Sequence, residues 1–250
     1  MPERISRKSK IKAGKKTEID LISLAVHQLE RPLSAINVSL KMLLEGDFGS
    51  VTKEQRHIIR KILERNKAMI FLVNDFFNVE KFGSKGLVYK WTMVDIEKLV
   101  GSVVKLAQEE ISNKKIRLEL EKTRIKMPKI MADEEKIGVA IQNLIDNAVK
   151  YTPPGGKIKI SYRVKGGEKG SRVEFKVQDY GIGIPEDQKK DLFTKFFRGR
   201  NVVKMNIVGS GLGLCIVKSI IEGHRGKVWF KSKDNQGSTF FFTIPVRQKD

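Results

Sequence analysis

The sequence predicts two architectures in succession. A hairpin of two long helices, built to form a four-helix bundle with a second copy, is followed by an α+β sandwich with helices on one face of a mixed sheet. Three observations predict this. Apolar residues repeat with an alternating four-three spacing between Ile22 and Phe76. Strand-like runs begin only after about residue 87, where the composition changes. Strands and helices then mix without the regular βαβ alternation of a parallel sheet. At 250 residues the chain has room for one large domain or two modest ones.

The first 17 residues include "RISRKSKIKAGKK", a basic run too polar to pack, and a frayed or disordered tail is expected there. The hairpin is expected over residues 18–82. Its first helix carries Ile22, Val26, Leu29, Leu33, Ile36, Leu40 and Leu43 at the spacing of a bundle seam. Glycines in "LLEGDFGSVTKEQ" break the pattern, and Thr52 followed by Gln55 reads as a capping box that opens a second helix. That helix repeats the spacing with Ile59, Ile62, Asn66, Met69, Val73 and Phe76, and "FGSKG" ends it. Two narrow apolar stripes cannot be buried by one hairpin, so a homodimer is expected.

The second domain is expected over residues 87–248. Its candidate strands are "GLVYKW", "KIRLELE", "KIKISYRV", "RVEFKVQD", "GKVWFKSK" and "STFFFTIPV". Helical patterns occupy Asp95–Ile111, Asp133–Tyr151 and Leu212–Gly223, the first two opening on an aspartate suited to an N-cap.

A formal net charge of +20 implies attraction to something anionic, although the lysines are spread along the whole chain. No base-reading motif or aromatic-interleaved basic strip is present, so no nucleic-acid partner is expected. One cysteine, Cys215, excludes an internal disulfide and suits a reducing compartment. No apolar run reaches the 18 or so residues of a membrane span, so a cytoplasmic location is expected, with any membrane attachment made through a segment outside this chain.

Two features point to chemistry. His27, in "AVHQLERPLSAI", lies one step off the seam and five residues before Pro32, so it should face outward from a helix that the proline interrupts. His57 and His224 have no such setting and read as structural or solvent-facing. In "DEEKIGVAIQNLIDNAVKYTPPGG" one helix face is apolar. Asn143, Asn147, Lys150 and Tyr151 cluster on another. Asparagine is a poor helix former. Two amide oxygens on one face suit Mg²⁺ carried by phosphates, and Lys150 supplies a point charge. Asp179 ends a strand and is followed by Gly181 and Gly183, which let the backbone approach a flat ring while the carboxylate accepts from an exocyclic amine. Gly209, Gly211 and Gly213 then precede a helix, where backbone N–H groups and the helix dipole favour phosphate. A Rossmann turn is the rival reading of that glycine string, but it should open the first βαβ unit, and this string comes last.

In this order the motifs resemble those of bacterial two-component sensor histidine kinases over nearly all of residues 20–246. "HQLERPLSAI" is similar to the family's histidine box and "NLIDNAVKYTPPGG" to its N box. "DYGIGIP" is similar to its first glycine box, "LFTKFFRG" to its F box, and "GSGLGLCIVKSII" to its second glycine box. The resemblance implies a dimerising phosphoacceptor hairpin and a GHKL or Bergerat ATPase domain. It also implies phosphorylation of His27 by ATP and transfer to an aspartate on a response-regulator receiver domain. By the same resemblance, Asn147 with Asn143 would hold Mg²⁺, Lys150 would meet phosphate, Tyr151 would border the base and Asp179 would read the adenine amine. Gly181, Gly183 and Ile184, with Gly209, Gly211, Leu212 and Gly213, would surround the nucleotide. Residues 186–208 would form a lid anchored by Phe196 and Phe197, with Arg198 near the γ-phosphate.

The sequence departs from the family at two places. Gln28 follows His27 where an acidic residue is usual, and an amide cannot take the imidazole proton. Arg31 stands where the family has Thr or Asn, four residues after the histidine. A nucleotide-binding scaffold that signals by conformation alone is therefore the alternative to a kinase.

Overall fold

The computed structural model describes residues 3–83, 89–121, 127–166, 170–205 and 209–247. The chain divides into two units: Met1–Ser84 with Val208–Ser210, and Lys85–Ile207 with Gly211–Asp250.

In the first unit, helix α1 spans Glu3–Glu45 and α2 spans Lys53–Gly83. Helix α1 thus takes in residues 3–17, where a frayed tail was expected. Lysine, arginine and glutamate are good helix formers, and Gly14 is the one weak point in that run. After α1, Gly46 and Gly49 adopt φ of 92° and 106°, a conformation costly for any residue with a Cβ. The capping box forms as read: Thr52 N–H donates to Gln55 Oε1 at 2.9 Å, and Gln55 N–H to Thr52 Oγ1 at 3.2 Å.

Pro32 lies inside α1, where it cannot donate to the Gln28 carbonyl one turn back. Beside it, Asn66 of α2 donates its amide to the Leu33 carbonyl at 2.7 Å. Asn66 is buried and holds the two helices in register at the proline. Much of the apolar stripe stays in solvent: Leu29, Ile36, Ile62 and Met69 are 44–52% exposed, which a lone hairpin cannot remedy.

The second unit is built on a five-stranded sheet of order β2-β4-β5-β7-β6, with β2 (Arg117–Glu121), β4 (Lys157–Lys165), β5 (Arg172–Asp179), β6 (Lys227–Ser232) and β7 (Ser238–Pro245). Strands β2 and β4 are parallel and the other pairs antiparallel. Alternate residues on one face, among them Ile158, Ile160, Phe175, Val177, Phe242 and Ile244, are fully buried. Against them pack α5 (Glu134–Tyr151) and α7 (Gly213–Gly223). Ile137, Ile141 and Leu144 of α5 and Val217, Ile220 and Ile221 of α7 have no exposed surface. The opposite face carries much of the unit's charge as cross-strand pairs, Lys157 with Glu119 at 2.7 Å and Arg163 with Glu174 at 2.9 Å.

Three expectations need correction. The first strand of this unit, β1, is Trp91–Val94; of the expected "GLVYKW", residues 86–88 lie outside the described residues and Tyr89 and Lys90 are not strand. Its antiparallel partner β3 (Ile130–Asp133) was not expected, because four residues without alternation carry little strand signal. The helix expected over Asp95–Ile111 is two, α3 (Ile96–Leu106) and α4 (Gln108–Asn113), parted at Ala107, which is not a breaker residue.

His224 is structural, as read. It is fully buried at the end of α7. The Asp133 N–H donates to its Nε2 at 3.0 Å, which fixes the neutral tautomer and leaves Nδ1 to donate to the Ile220 carbonyl at 2.8 Å. Tyr89 and Trp91 pack edge-on to its ring. Burial would raise the Asp133 carboxyl, but bonds from Lys136 and Lys90 outweigh it and hold the group below the ordinary range.

Burial also pushes the His224 pKa down. Below about pH 6.5 the unfolded chain therefore binds a proton that the folded chain refuses, so the His224 contribution is complete above that pH and is lost as pH falls. Thermal unfolding should show a steeper loss of Tm between about pH 7 and 5 in the natural chain than in His224→Gln, which should be less stable near pH 7.5. Parallel pH profiles for the two would rule out a buried neutral histidine.

Candidate nucleotide site

Helix α5 is the element on which the site residues converge. Asp133 caps its first turn, accepting from the Lys136 N–H at 3.1 Å. Asn143 and Asn147 lie half-buried on its polar side. The Asn143 amide donates to the Val139 carbonyl at 2.9 Å, which points Oδ1 at the start of α7. A Cβ on Gly213 would stand 2.5 Å from that oxygen and would push the Asn143 amide from this position. At the other end of α5, the Lys150 ammonium sits over the Tyr151 ring, 5.1 Å from its centre. Burial raises the Tyr151 hydroxyl pKa, and the charge of the exposed Arg198 opposes that rise.

Asp179 ends β5 with its side chain buried. Its Oδ1 accepts from the Gly181 N–H at 3.0 Å and the Ser238 N–H at 3.2 Å. Burial nevertheless pushes its pKa up to about 6, the hydrogen bonds opposing without winning. Gly181 lies on the end of α5, where a Cβ would come 2.2 Å from the Tyr151 carbonyl oxygen. Gly183, at φ 64°, lies as close to the Lys233 carbonyl, and the Asn235 N–H donates to the Ile182 carbonyl at 2.8 Å. The loop after β5 is thus clamped between α5 and the β6–β7 turn.

Gly211 adopts φ 76°, and a Cβ there would strike the backbone of Phe196 and Phe197. Leu212 is buried, Ile184 half-buried. Gly209 falls with the helical unit in the division of the chain, apart from Gly211 and Gly213. The expected lid segment contains a 3₁₀ turn at Glu186–Asp191 and helix α6 (Arg200–Lys204). Phe196 does not anchor it: its ring is 64% exposed at φ 62°, and Phe193 instead packs against Phe230. Sequence reasoning missed Phe193 and also two polar anchors. Buried Gln188 accepts from the Arg200 N–H at 2.9 Å, and Arg200 pairs with Asp187. His27 and Gln28 are exposed on α1, as expected of a histidine one step off the seam. Lys114, also missed, donates to three carbonyls at the end of α5.

An acceptor for an amine, glycine turns before a helix N-terminus, and a lysine and two amides on one helix face together suit a purine nucleotide with phosphates. The comparisons agree. Residues 132–248 match the family described as "Histidine kinase-, DNA gyrase B-, and HSP90-like ATPase", and residues 18–85 the "His Kinase A (phospho-acceptor) domain". The chain belongs to the sensor histidine kinases. It is 32% identical to Sensor protein RprX of Bacteroides fragilis over 92% of this chain and 44% of that protein. It is 27% identical to Sensor histidine kinase WalK of Bacillus subtilis over 92% of this chain and 37% of that one. This chain therefore spans less than half of either relative. Among solved structures, the catalytic domain of histidine kinase ThkA is 31% identical, with 64% of this chain and 99% of that one covered and a TM-score of 0.54. Full-length ShkA in complex with AMPPNP is 26% identical, with 92% and 47% covered and a TM-score of 0.66. Among the described residues, no helix is long and apolar enough to cross a membrane.

Asp179 carries a sign opposite to that of a paired carboxylate. Its folded pKa lies above its unfolded value, so it favours folding below about pH 4, and that contribution is lost as pH rises through about 6. Near pH 7.5 the buried charge costs at most about 3 kcal/mol, from two units of raised pKa. Asp179→Asn keeps an oxygen for Gly181 and Ser238. Its Tm should exceed that of the natural chain near pH 7.5, with the gain gone near pH 4. A variant less stable at both pH values would contradict this reading of the carboxylate.

Proposed function

We propose that the chain is the phosphoacceptor and catalytic portion of a homodimeric protein-histidine kinase. It binds ATP with Mg²⁺, phosphorylates His27 and passes the phosphoryl group to an aspartate of a response-regulator receiver domain. Residues 18–82 are the dimerisation and phosphotransfer hairpin and residues 87–248 the catalytic domain. The observation that carries the reading is the convergence on α5 of the Asp179–Gly183 loop and the Gly213 start of α7, in a chain whose exposed His27 stands just before Pro32. The exposed apolar stripe on α1 and α2 supports the homodimer.

Asp179, ionised above about pH 6, accepts from the adenine amine. The Gly211–Gly213 backbone at the α7 N-terminus takes phosphate oxygens, and Lys150 and Arg198 add positive charge. Among the described residues, no three carboxylate, histidine or cysteine side chains gather into a metal site. Neutral amide oxygens fit an Mg²⁺ that arrives with the phosphates, with Asn147 and Asn143 as its protein ligands. Bound there, the ion would neutralise phosphate charge. In the transfer, an imidazole nitrogen of His27 forms a bond to the γ-phosphorus. The bond from that phosphorus to the bridging oxygen breaks, ADP leaves, and the proton on the other nitrogen passes to an acceptor. Gln28 can fix the tautomer but cannot be that acceptor. Gln28 also favours a second reading, a scaffold that binds nucleotide and transfers slowly or not at all.

Incubation with γ-labelled ATP separates the two. A kinase gives acid-labile label that is lost in His27→Ala and in Asn147→Ala, whereas the scaffold binds ATP and stays unlabelled. Gln28→Glu should speed single-turnover labelling, since a placed general base contributes about 10²–10⁴-fold, and should leave ATP affinity unchanged. An unchanged or lower rate would mean that domain closure limits the rate or that another group, with Glu30 next to test, accepts the proton.

A further inference from the structure

We propose that Lys114 is a positioning residue of the nucleotide site, acting through the last turn of α5 on Lys150 and Tyr151. This inference rests on reading that site as one for ATP. The last carbonyls of a helix have no partner within it and carry the negative end of its dipole. In α5 they are taken by one side chain. The Lys114 ammonium donates to the carbonyls of Val149 at 2.8 Å, Lys150 at 2.9 Å and Thr152 at 3.4 Å. Lysine has three donors to give, and here all three find carbonyls.

The backbone of Lys114 grips the same segment. Its own carbonyl accepts from the Gly155 N–H at 2.8 Å, just past the end of α5. The residue sits at the turn between α4 and β2, where Lys115 reverses the chain at φ 54°. Lys114 therefore ties residues 149–155 to the edge of the sheet from two directions. Within that segment lie the two side chains assigned to phosphate and base. It also holds the Tyr151 carbonyl, on which Gly181 rests without room for a Cβ.

The charge has a further consequence. An anionic ligand at the end of α5 would face the negative end of a helix dipole. The Lys114 ammonium puts a positive charge on that end, on the same turn that carries Lys150. Lys114 thus acts on the ligand without touching it.

The test uses the full chain and calorimetric titration with ATP and with adenosine, at a temperature where circular dichroism shows every variant folded. Lys114→Met should weaken ATP by about tenfold and adenosine by about threefold or less, because the loss falls on the phosphates. Lys114→Arg keeps the charge and donors and should come within about threefold of the natural chain for both ligands. If Lys114→Met does not fold, Lys114→Gln, which keeps two donors but no charge, should show the same split. A variant that lowers Tm and leaves ATP affinity unchanged overturns the inference, as does an equal loss for ATP and adenosine. A natural chain that binds neither ligand overturns the site reading itself and this inference with it.

Discussion

Everything in the catalytic unit depends on how closely other backbone can approach α5. The helix is buried along one side against the sheet, with Ile137, Ile141, Leu144 and Ile145 wholly inside. Its polar side is approached by two glycines, Gly213 at the Asn143 amide and Gly181 at the Tyr151 carbonyl. At Gly181 backbone leaves no room for a Cβ, and at Gly213 a Cβ would displace the amide. The loop after β5 and the start of α7 are thereby fixed on the polar side of one helix, and the amides, lysine, tyrosine and carboxylate come into one neighbourhood. Gly183 and Gly237 extend the same close approach to the β6–β7 turn, so the carboxyl end of β5 is held from both sides.

The core supplies the stability against which the site draws. Asp179 is buried where burial disfavours its charge, and the two backbone bonds it accepts do not restore an ordinary pKa. A carboxylate left in that condition is expected where a ligand supplies the missing donor. The α5 end would be a second cost, with three carbonyls unpaired, had Lys114 not been placed on them. On the outer face of the sheet cations outnumber the carboxylates they meet, Lys157 and Lys159 sharing Glu119 and Arg163 and Lys165 sharing Glu174.

Much of this was legible in the sequence because the signals were local. The Thr52–Gln55 box, the Asp95 and Asp133 caps, the alternation in β4 and β5, and the Asn face of α5 each follow from residues within one or two turns of each other. What was not legible was set by tertiary packing. The four residues of β3 become a strand only because β1 lies beside them. Ala107 parts two helices without any residue that breaks helices. Lys114 reads as one more basic residue in "SNKK", since its carbonyl partners lie some 35 positions away. In "LFTKFF" the expected anchors are Phe196 and Phe197, and only the position of Phe230 singles out Phe193. The role of His224 was legible only as an absence of functional setting. The bond to the Asp133 N–H gives the physical reason.

The nucleotide site exists because backbone can lie directly on α5. Calorimetric titration of ATP into Gly181→Ala tests it most directly, with amide exchange in β5 and α5 as the control for folding. The added methyl has nowhere to go beside the Tyr151 carbonyl. Amides in both elements should stay protected while ATP binding falls below measurement. Affinity equal to that of the natural chain, with the same protection, would contradict this.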